Sequence, residues 1–382
     1  MEKLQEKLNY LKGYGGRPLR LMEVCGTHTA GIFRSGLRSV ISPRIRLISG
    51  PGCPVCVTPT AYIDKCVEYA LTAGFALVSF GDMLKVPGSN AASLERAKGF
   101  GARVELVYSP FDVIAMAQRE PGTVFVIAAV GFETTAPAYA LLMDELAARG
   151  VENVRLLTAL KSALPAIDWC IRTESSEGAL PPSVSSDLSD PARYAIDGFL
   201  CPGHVSVITG SGVYWPLAEK YGKPFVVAGF EEAHLVDAIY ELVRLAAGGD
   251  SPAPCMPPAS SGAALVSNCY SEAVSAEGNA KAREIVDNYF ERGSAVWRGL
   301  GTIADSGLYL RERYASFDAG SRALTEDASL PKGCRCADVI TGRIDPKDCP
   351  MFGGACTPEN AQGPCMVSSE GACGIWHAAE GR

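Results

Sequence analysis

Apolar and polar positions change their period along this chain. In "EKLQEKLNYLKG", Leu4, Leu8 and Leu11 recur at helical spacing among charged residues, which predicts a short amphipathic helix. From residue 19 to 245, short apolar runs alternate with helical patterns. The runs predict strands at 20–24 (RLMEV), 46–49 (RLIS), 76–80 (ALVSF) and 104–108 (VELVY). Four more are predicted at 124–130 (VFVIAAV), 154–159 (VRLLTA), 196–201 (IDGFLC) and 225–229 (FVVAG). Helical patterns fill 59–73, 135–149 and 231–247. Strands alternating with helices predict an α/β fold with parallel sheets under helical cover.

The eight strands divide into two sets of four, and a weak internal repeat supports that division. "PGCPVCVT" (51–58) and "PGHVSVIT" (202–209) each follow a strand and close on Val/Ile-Thr. "THTA" (27–30) and "TTA" (134–136) hold matching places. Two similar parallel-sheet α/β units are therefore expected, at 20–115 and 116–248. Residues 249–262 (GDSPAPCMPPASSG) read as a linker, and a long helix is expected near 270–290. From about residue 329, Cys, Gly and Pro dominate without periodicity. Such a loop-rich segment needs a staple, which its own cysteines can supply.

Composition narrows the function. With 382 residues and 47% apolar content, the chain can bury more than one core. A net charge of −7 without a long basic run argues against nucleic acid or an anionic membrane as the main partner. No apolar stretch reaches transmembrane length, and the N-terminus does not read as a signal peptide, so a cytoplasmic protein is expected. In that compartment, fourteen cysteines point to metal or redox work rather than structural disulfides.

The chemistry-bearing residues follow strands. "MEVCGTHT", "SGPGCPVC" and "FGDMLKVPGS" come first, then "GFETTAP", "LKSALP", "CPGHVS" and "GFEEAH". Open parallel sheets bind ligands beyond the carboxyl ends of their strands. One crevice is thus expected to gather Cys25, His28, Cys53, Cys56, Asp82, Glu133 and His204. A helix starting at "CGTHT" would aim its amides at the Cys25 sulfur and lower the thiol pKa, with Thr27, His28 and Thr29 as hydrogen-bond partners. Cys53 and Cys56 have the Cys-x-x-Cys spacing of a redox dithiol or half a metal site. Gly50, Pro51, Gly52 and Pro54 make their turn rigid, and no second such pair lies near enough to complete a zinc site. Cys66, Cys170, Cys201, Cys255 and Cys269 read as packing residues, and His234 as an ordinary helical histidine.

Six of the fourteen cysteines lie in the last 49 residues. The spacing Cys334-x14-Cys349-x6-Cys356-x16-Cys373 is unlike a zinc ribbon. Four thiolates wrapped by glycine-rich loop suit a 4Fe–4S cluster, with zinc left open. Cys336 and Cys365 are then left over as a dithiol beside the cluster.

"CGTHT", "GPGCPVC", "GFETTAP", "CPGHVSVI" and "CMVSSEGAC", in this order over about residues 20–375, resemble the HypD family of [NiFe]-hydrogenase maturation factors. The resemblance implies a redox-active scaffold rather than a conventional turnover enzyme. It implies a small HypC-type chaperone as partner, an iron carrying two cyanides and one carbon monoxide, and a HypE-type cyanide donor. Cys25 would ligate that iron, Cys53 and Cys56 would be the redox dithiol, and His204 and Glu133 would line the cleft. Cys334, Cys349, Cys356 and Cys373 would hold the 4Fe–4S cluster beside a Cys336–Cys365 disulfide. The implied fold has two similar α/β domains and a cluster domain built from 1–19 with 249–382. A rival reading is an iron–sulfur thiol–disulfide oxidoreductase resembling ferredoxin–thioredoxin reductase, which has no use for Cys25 with His28. A structural zinc protein is a third.

Overall fold

The computed structural model describes residues 2–173, 194–248, 265–324 and 330–380. The expected linker and Cys255 lie outside these residues. All eight expected strands are present: β1 (Leu19–Glu23), β2 (Ile45–Ser49), β3 (Phe75–Ser79), β4 (Val104–Leu106), β5 (Val124–Gly131), β6 (Val154–Lys161), β7 (Gly198–Pro202) and β8 (Phe225–Ala228). Three further strands, β9 (Val266–Asn268), β10 (Phe290–Trp297) and β11 (Gly301–Leu310), lie where the sequence pattern indicated none. The helix expected near 270–290 is shorter, Ala280–Tyr289.

The strands form two sheets. One is all parallel, in the order β2-β1-β7-β8-β9. The other has the order β10-β11-β6-β5-β3-β4, parallel from β6 to β4, with β10 and β11 antiparallel at one edge. Each sheet takes four of the eight expected strands, but not as consecutive fours. The chain leaves the first sheet after β2, builds β3 to β6 in the second, and returns at β7. The division at residue 115 is therefore not the division between sheets. The local pattern shows that a strand is buried on both faces, not which strand lies beside it.

Both faces of each sheet are covered. In the first, Leu19, Leu21, Leu47 and Val226 pack under the Glu232–Ala246 helix. Met22, Ile48, Phe199 and Val227 face Ile167 and Ile171 of the Ala163–Arg172 helix, which follows β6 of the other sheet. That helix joins the two sheets. In the second sheet, Ala76, Val78, Phe125 and Ile127 pack on Tyr139, Leu142 and Met143 of the Ala136–Ala148 helix. On its opposite face, Leu77, Val126 and Leu157 share one core with Cys53, Cys56, Cys336 and Cys365.

The N-terminal helix is Glu2–Gly13, and its Leu11 is fully buried against the Glu232–Ala246 helix. It belongs to the core of the first sheet, whereas the buried tail cysteines belong to other cores. Within 249–382, β9 extends the first sheet, and β10 and β11 extend the second.

Candidate functional site

The carboxyl ends of the two sheets open onto a shared cleft of about 230 Å³. The first sheet lines it with Val24, Cys25 and Thr27 after β1, Pro51, Gly52 and Pro54 after β2, and Pro202, His204 and Val205 at the end of β7. The second contributes Phe132, Thr134 and Thr135 after β5, and Ala163 after β6. Glu370 reaches in from the C-terminal segment.

Cys25 caps the Gly26–Arg34 helix, its backbone extended as the last residue before the first turn. The amides of Thr27 and His28 and the Thr27 hydroxyl reach its sulfur, and each favours the thiolate. Burial outweighs them and pushes the thiol up to about 11. The expected lowering of its pKa is therefore overturned: the helix is present, but so is the desolvation. A metal at this sulfur would have to displace a proton.

Two glycines allow the close approaches that shape the cleft. A Cβ on Gly52 would stand 2.5 Å from the backbone nitrogen of Cys25, and one on Gly26 would stand 2.2 Å from the Glu370 carbonyl oxygen. The Cys25 loop is thereby packed against the Cys53–Cys56 turn on one side and the tail on the other. The Thr27 hydroxyl also donates to Glu370 Oε1 at 2.8 Å.

Cys53 and Cys56 form a disulfide behind the cleft wall, 4% and 2% exposed. The Cys56 sulfur lies 3.9 Å from the Pro364 carbonyl oxygen, one residue before Cys365. The six tail thiols, of Cys334, Cys336, Cys349, Cys356, Cys365 and Cys373, surround a hollow also lined by Val339, Met351, Phe352 and Met366. Cys365 makes thiol contacts with both Cys336 and Cys373. Cys336 and Cys365 are free thiols in this structure. The Gln362 amide donates to Cys356 Sγ at 3.3 Å, the kind of N–H···S contact expected of loop backbone around a cluster. Among the described residues, no three His, Cys, Asp or Glu side chains converge as for a single metal ion. Six thiols around one hollow, with apolar side chains between them, suit a soft, polynuclear centre.

Other expected residues stand outside the cleft. His28 is fully buried, and its Nε2–H donates to the Ala228 carbonyl at 3.1 Å. Burial lowers its pKa to about 4, so the ring is neutral. The Glu133 carboxylate accepts from the Ala163 amide at 2.9 Å, at the start of the Ala163–Arg172 helix. Burial raises its pKa to about 7. Asp82 lies in a separate groove, 3.4 Å from the Ser368 hydroxyl. Of the seven residues expected in one crevice, only Cys25 and His204 line it.

Sequence reasoning assigned no role to Phe230 or Glu370. Phe230 lies between the rings of His204 and His28, with centroids at 3.9 and 4.9 Å. The recurrence of "GFE" at 131–133 and 229–231 was the available signal. Glu370 was visible only as an acid among small residues in "SSEGAC".

Comparison with known proteins settles the family. The family profile described as "HypD: Hydrogenase formation hypA family" matches residues 1–380. The chain belongs to the HypD family. It is 40% identical over 369 residues to the hydrogenase maturation factor HypD of Azotobacter vinelandii, covering 95% of this chain and 89% of that protein. It is 38% identical over 380 residues to HypD of Escherichia coli K12, covering 99% and 93%. HypD of Cupriavidus necator is 39% identical over 370 residues, covering 96% and 91%. The HypD motifs named above are thus the loops that build the cleft and its disulfide wall. Among the described residues, no helix is long and apolar enough to cross a membrane.

Proposed function

We propose that this protein is a hydrogenase maturation scaffold on which an iron with two cyanides and one carbon monoxide is assembled, held by Cys25. The observation that carries this reading is the packing of the Cys53–Cys56 turn on Cys25 through Gly52, in a cleft also lined by His204 and Glu370. A soft thiolate suits low-spin iron, the cargo of the reaction. A small HypC-type chaperone, supplying a further ligand to that iron, and a HypE-type cyanide donor are the partners in this proposal. Location in the cytoplasm belongs to the same proposal, and the free thiols among the described residues are in keeping with it.

The same proposal assigns a resident 4Fe–4S cluster to Cys334, Cys349, Cys356 and Cys373. The gathering of their thiols around one hollow and the Gln362 amide on Cys356 support that fit. When bound, such a cluster supplies electrons one at a time. Cys365, in contact with Cys336 and adjoining the residue that Cys56 touches, joins that centre to the disulfide. Thr27 and Glu370 fix the tail over Cys25, and the Phe230 stack orients His204 at the cleft.

The test is an infrared spectrum of the protein purified anaerobically with a HypC-type chaperone. Cyanide and carbonyl stretching bands that vanish in Cys25→Ala are expected. A cluster-loaded complex without such bands would sink the scaffold reading and favour the thiol–disulfide oxidoreductase.

A further inference from the structure

A buried carboxylate beside Cys25 is held by a cation that the tail helix covers. Glu23 ends β1, just before Val24 and Cys25, and its side chain is fully buried. Its Oε2 accepts from the Thr29 hydroxyl at 2.5 Å, one turn into the Gly26–Arg34 helix. The Thr29 amide in turn donates to the Cys25 carbonyl at 3.2 Å. Strand end and helix start are thus stapled together around Cys25, by side chain and by backbone. The Glu23 carbonyl also accepts from the Gly50 amide at 2.9 Å, at the entry to the Cys53–Cys56 turn.

Arg38 closes this network from outside. Its Nη2 donates to Glu23 Oε1 at 2.7 Å and its Nη1 to the Leu47 carbonyl of β2 at 2.6 Å. A buried carboxylate needs such a partner, and a forked, charged donor fixes geometry as well as charge. The guanidinium also lies over two rings, of Phe33 at 4.9 Å and of Trp376 at 5.2 Å. Such cation–π contacts strengthen where water is excluded, and the Arg38 side chain is 18% exposed. Phe33 belongs to the Gly26–Arg34 helix, and Trp376 to the tail helix Ala372–Glu380, which also carries Cys373. The two rings meet edge to face, with centroids 5.1 Å apart. One continuous set of contacts therefore runs from the tail helix through Arg38 and Glu23 to the Cys25 loop.

We propose that Arg38 is a positioning residue for Cys25. It holds the Cys25 loop through Glu23 and Thr29, and Trp376 holds Arg38 only while the tail helix is docked. Placement of Cys25 in the cleft thereby depends on the tail. The bearing of this on the reaction rests on Cys25 as the iron-binding thiol, the reading given above. No bond is made or broken at Arg38. Coupling of this kind is carried by packed and hydrogen-bonded side chains in direct contact. A displacement of about 1 Å at a reacting group can cost about 100-fold in rate.

The test uses the full chain under anaerobic conditions. Alkylation of Cys25 by iodoacetamide is followed by peptide mass spectrometry, together with amide hydrogen exchange at residues 24–29. Trp376→Leu, which leaves the Arg38–Glu23 ion pair in place, is expected to raise the alkylation rate about fivefold or more, and exchange at 24–29 with it. Arg38→Met is expected to do at least as much, and Arg38→Lys to recover part of the change. Leu142→Ala, in the separate core of the second sheet, is the control for general destabilisation, with rates compared at equal stability set by urea. Wild-type alkylation and exchange in folded Trp376→Leu overturn the proposal, whether or not Arg38→Met folds. An equal rise in Leu142→Ala overturns it too. In the complex with a HypC-type chaperone, the cyanide and carbonyl bands are expected to weaken in Trp376→Leu. A wild-type complex without those bands overturns the scaffold reading and the bearing of Arg38 on the reaction, and the alkylation rates alone then decide its hold on Cys25.

Discussion

Gly52 lies so close to Cys25 that an added Cβ would stand 2.5 Å from the Cys25 nitrogen and 2.6 Å from its Cα. Backbone cannot yield as a flexible side chain can. Gly52→Ala is expected to push the Cys53–Cys56 turn away from Cys25 and to cost about 1–3 kcal/mol of stability, the usual range for overpacking. Urea denaturation checks the stability. A variant as stable as wild type, with its disulfide reduced at the same potential, would show that the close approach is unimportant.

Thr27 and Glu370 tie the first helix of the cleft to the tail. Thr27→Val removes the donor while keeping the shape, and is expected to cost about 1 kcal/mol. Hydrogen exchange should rise first at residues 368–374, because the Thr27–Glu370 bond holds that segment over Gly26. Faster exchange spread evenly over the protein would point to general destabilisation instead.

Two buried groups give opposite dependences of stability on pH. His28 titrates near 6.5 when unfolded and near 4 when folded, so its contribution is lost as the pH falls through that interval. Glu133 shifts the other way, from 4.5 to about 7, so its contribution is present below 4.5 and is lost as the pH rises toward 7. Between pH 4.5 and 6.5 the two slopes oppose. His28→Gln should leave a protein that weakens as the pH rises through this window. Glu133→Gln should leave one that weakens as the pH falls. Urea midpoints measured across the window check both signs.

The tail cysteines should separate by role. Serine at Cys334, Cys349, Cys356 or Cys373 is expected to abolish or sharply reduce bound iron and acid-labile sulfide. Serine at Cys336 or Cys365 should leave that content near wild type, yet slow reduction of the Cys53–Cys56 disulfide, followed by thiol trapping. Equal loss of iron across all six variants would count against this assignment.

Much of the site was legible because its residues are chemically scarce and sit directly after strands. The Cys-x-x-Cys turn, Cys25 and His204 announce themselves by type and by position. Glu133 shows where that reasoning stops. Its motif follows β5 as expected, but the carboxylate turns to the Ala163 amide, because a helix start offers a better partner than the cleft. His28 is similar: its place in "CGTHT" suggested chemistry, whereas its buried ring serves to hold the Ala228 carbonyl and pack on Phe230. The β10–β11 hairpin was missed because "FERGSAVW" and "GTIADSGLYL" break strict alternation with glycines and polar residues. Its strands are held by pairing with each other and with β6.

The sequence by itself determined the family, the α/β class, the eight strands from β1 to β8, and the places of its thiols along the chain. These depend on residue type and local period. Tertiary structure decided that β1 and β2 pair with β7 and β8, and that the N-terminal helix joins the first sheet. It also decided that Cys56 meets the chain beside Cys365 and that Cys25 is desolvated enough to keep its proton. Strand pairing runs through backbone N–H and C=O groups that every residue but proline carries alike, so a strand's own sequence says little about its neighbour. Desolvation is likewise a property of what surrounds a group, and those surroundings are assembled from residues far away along the chain.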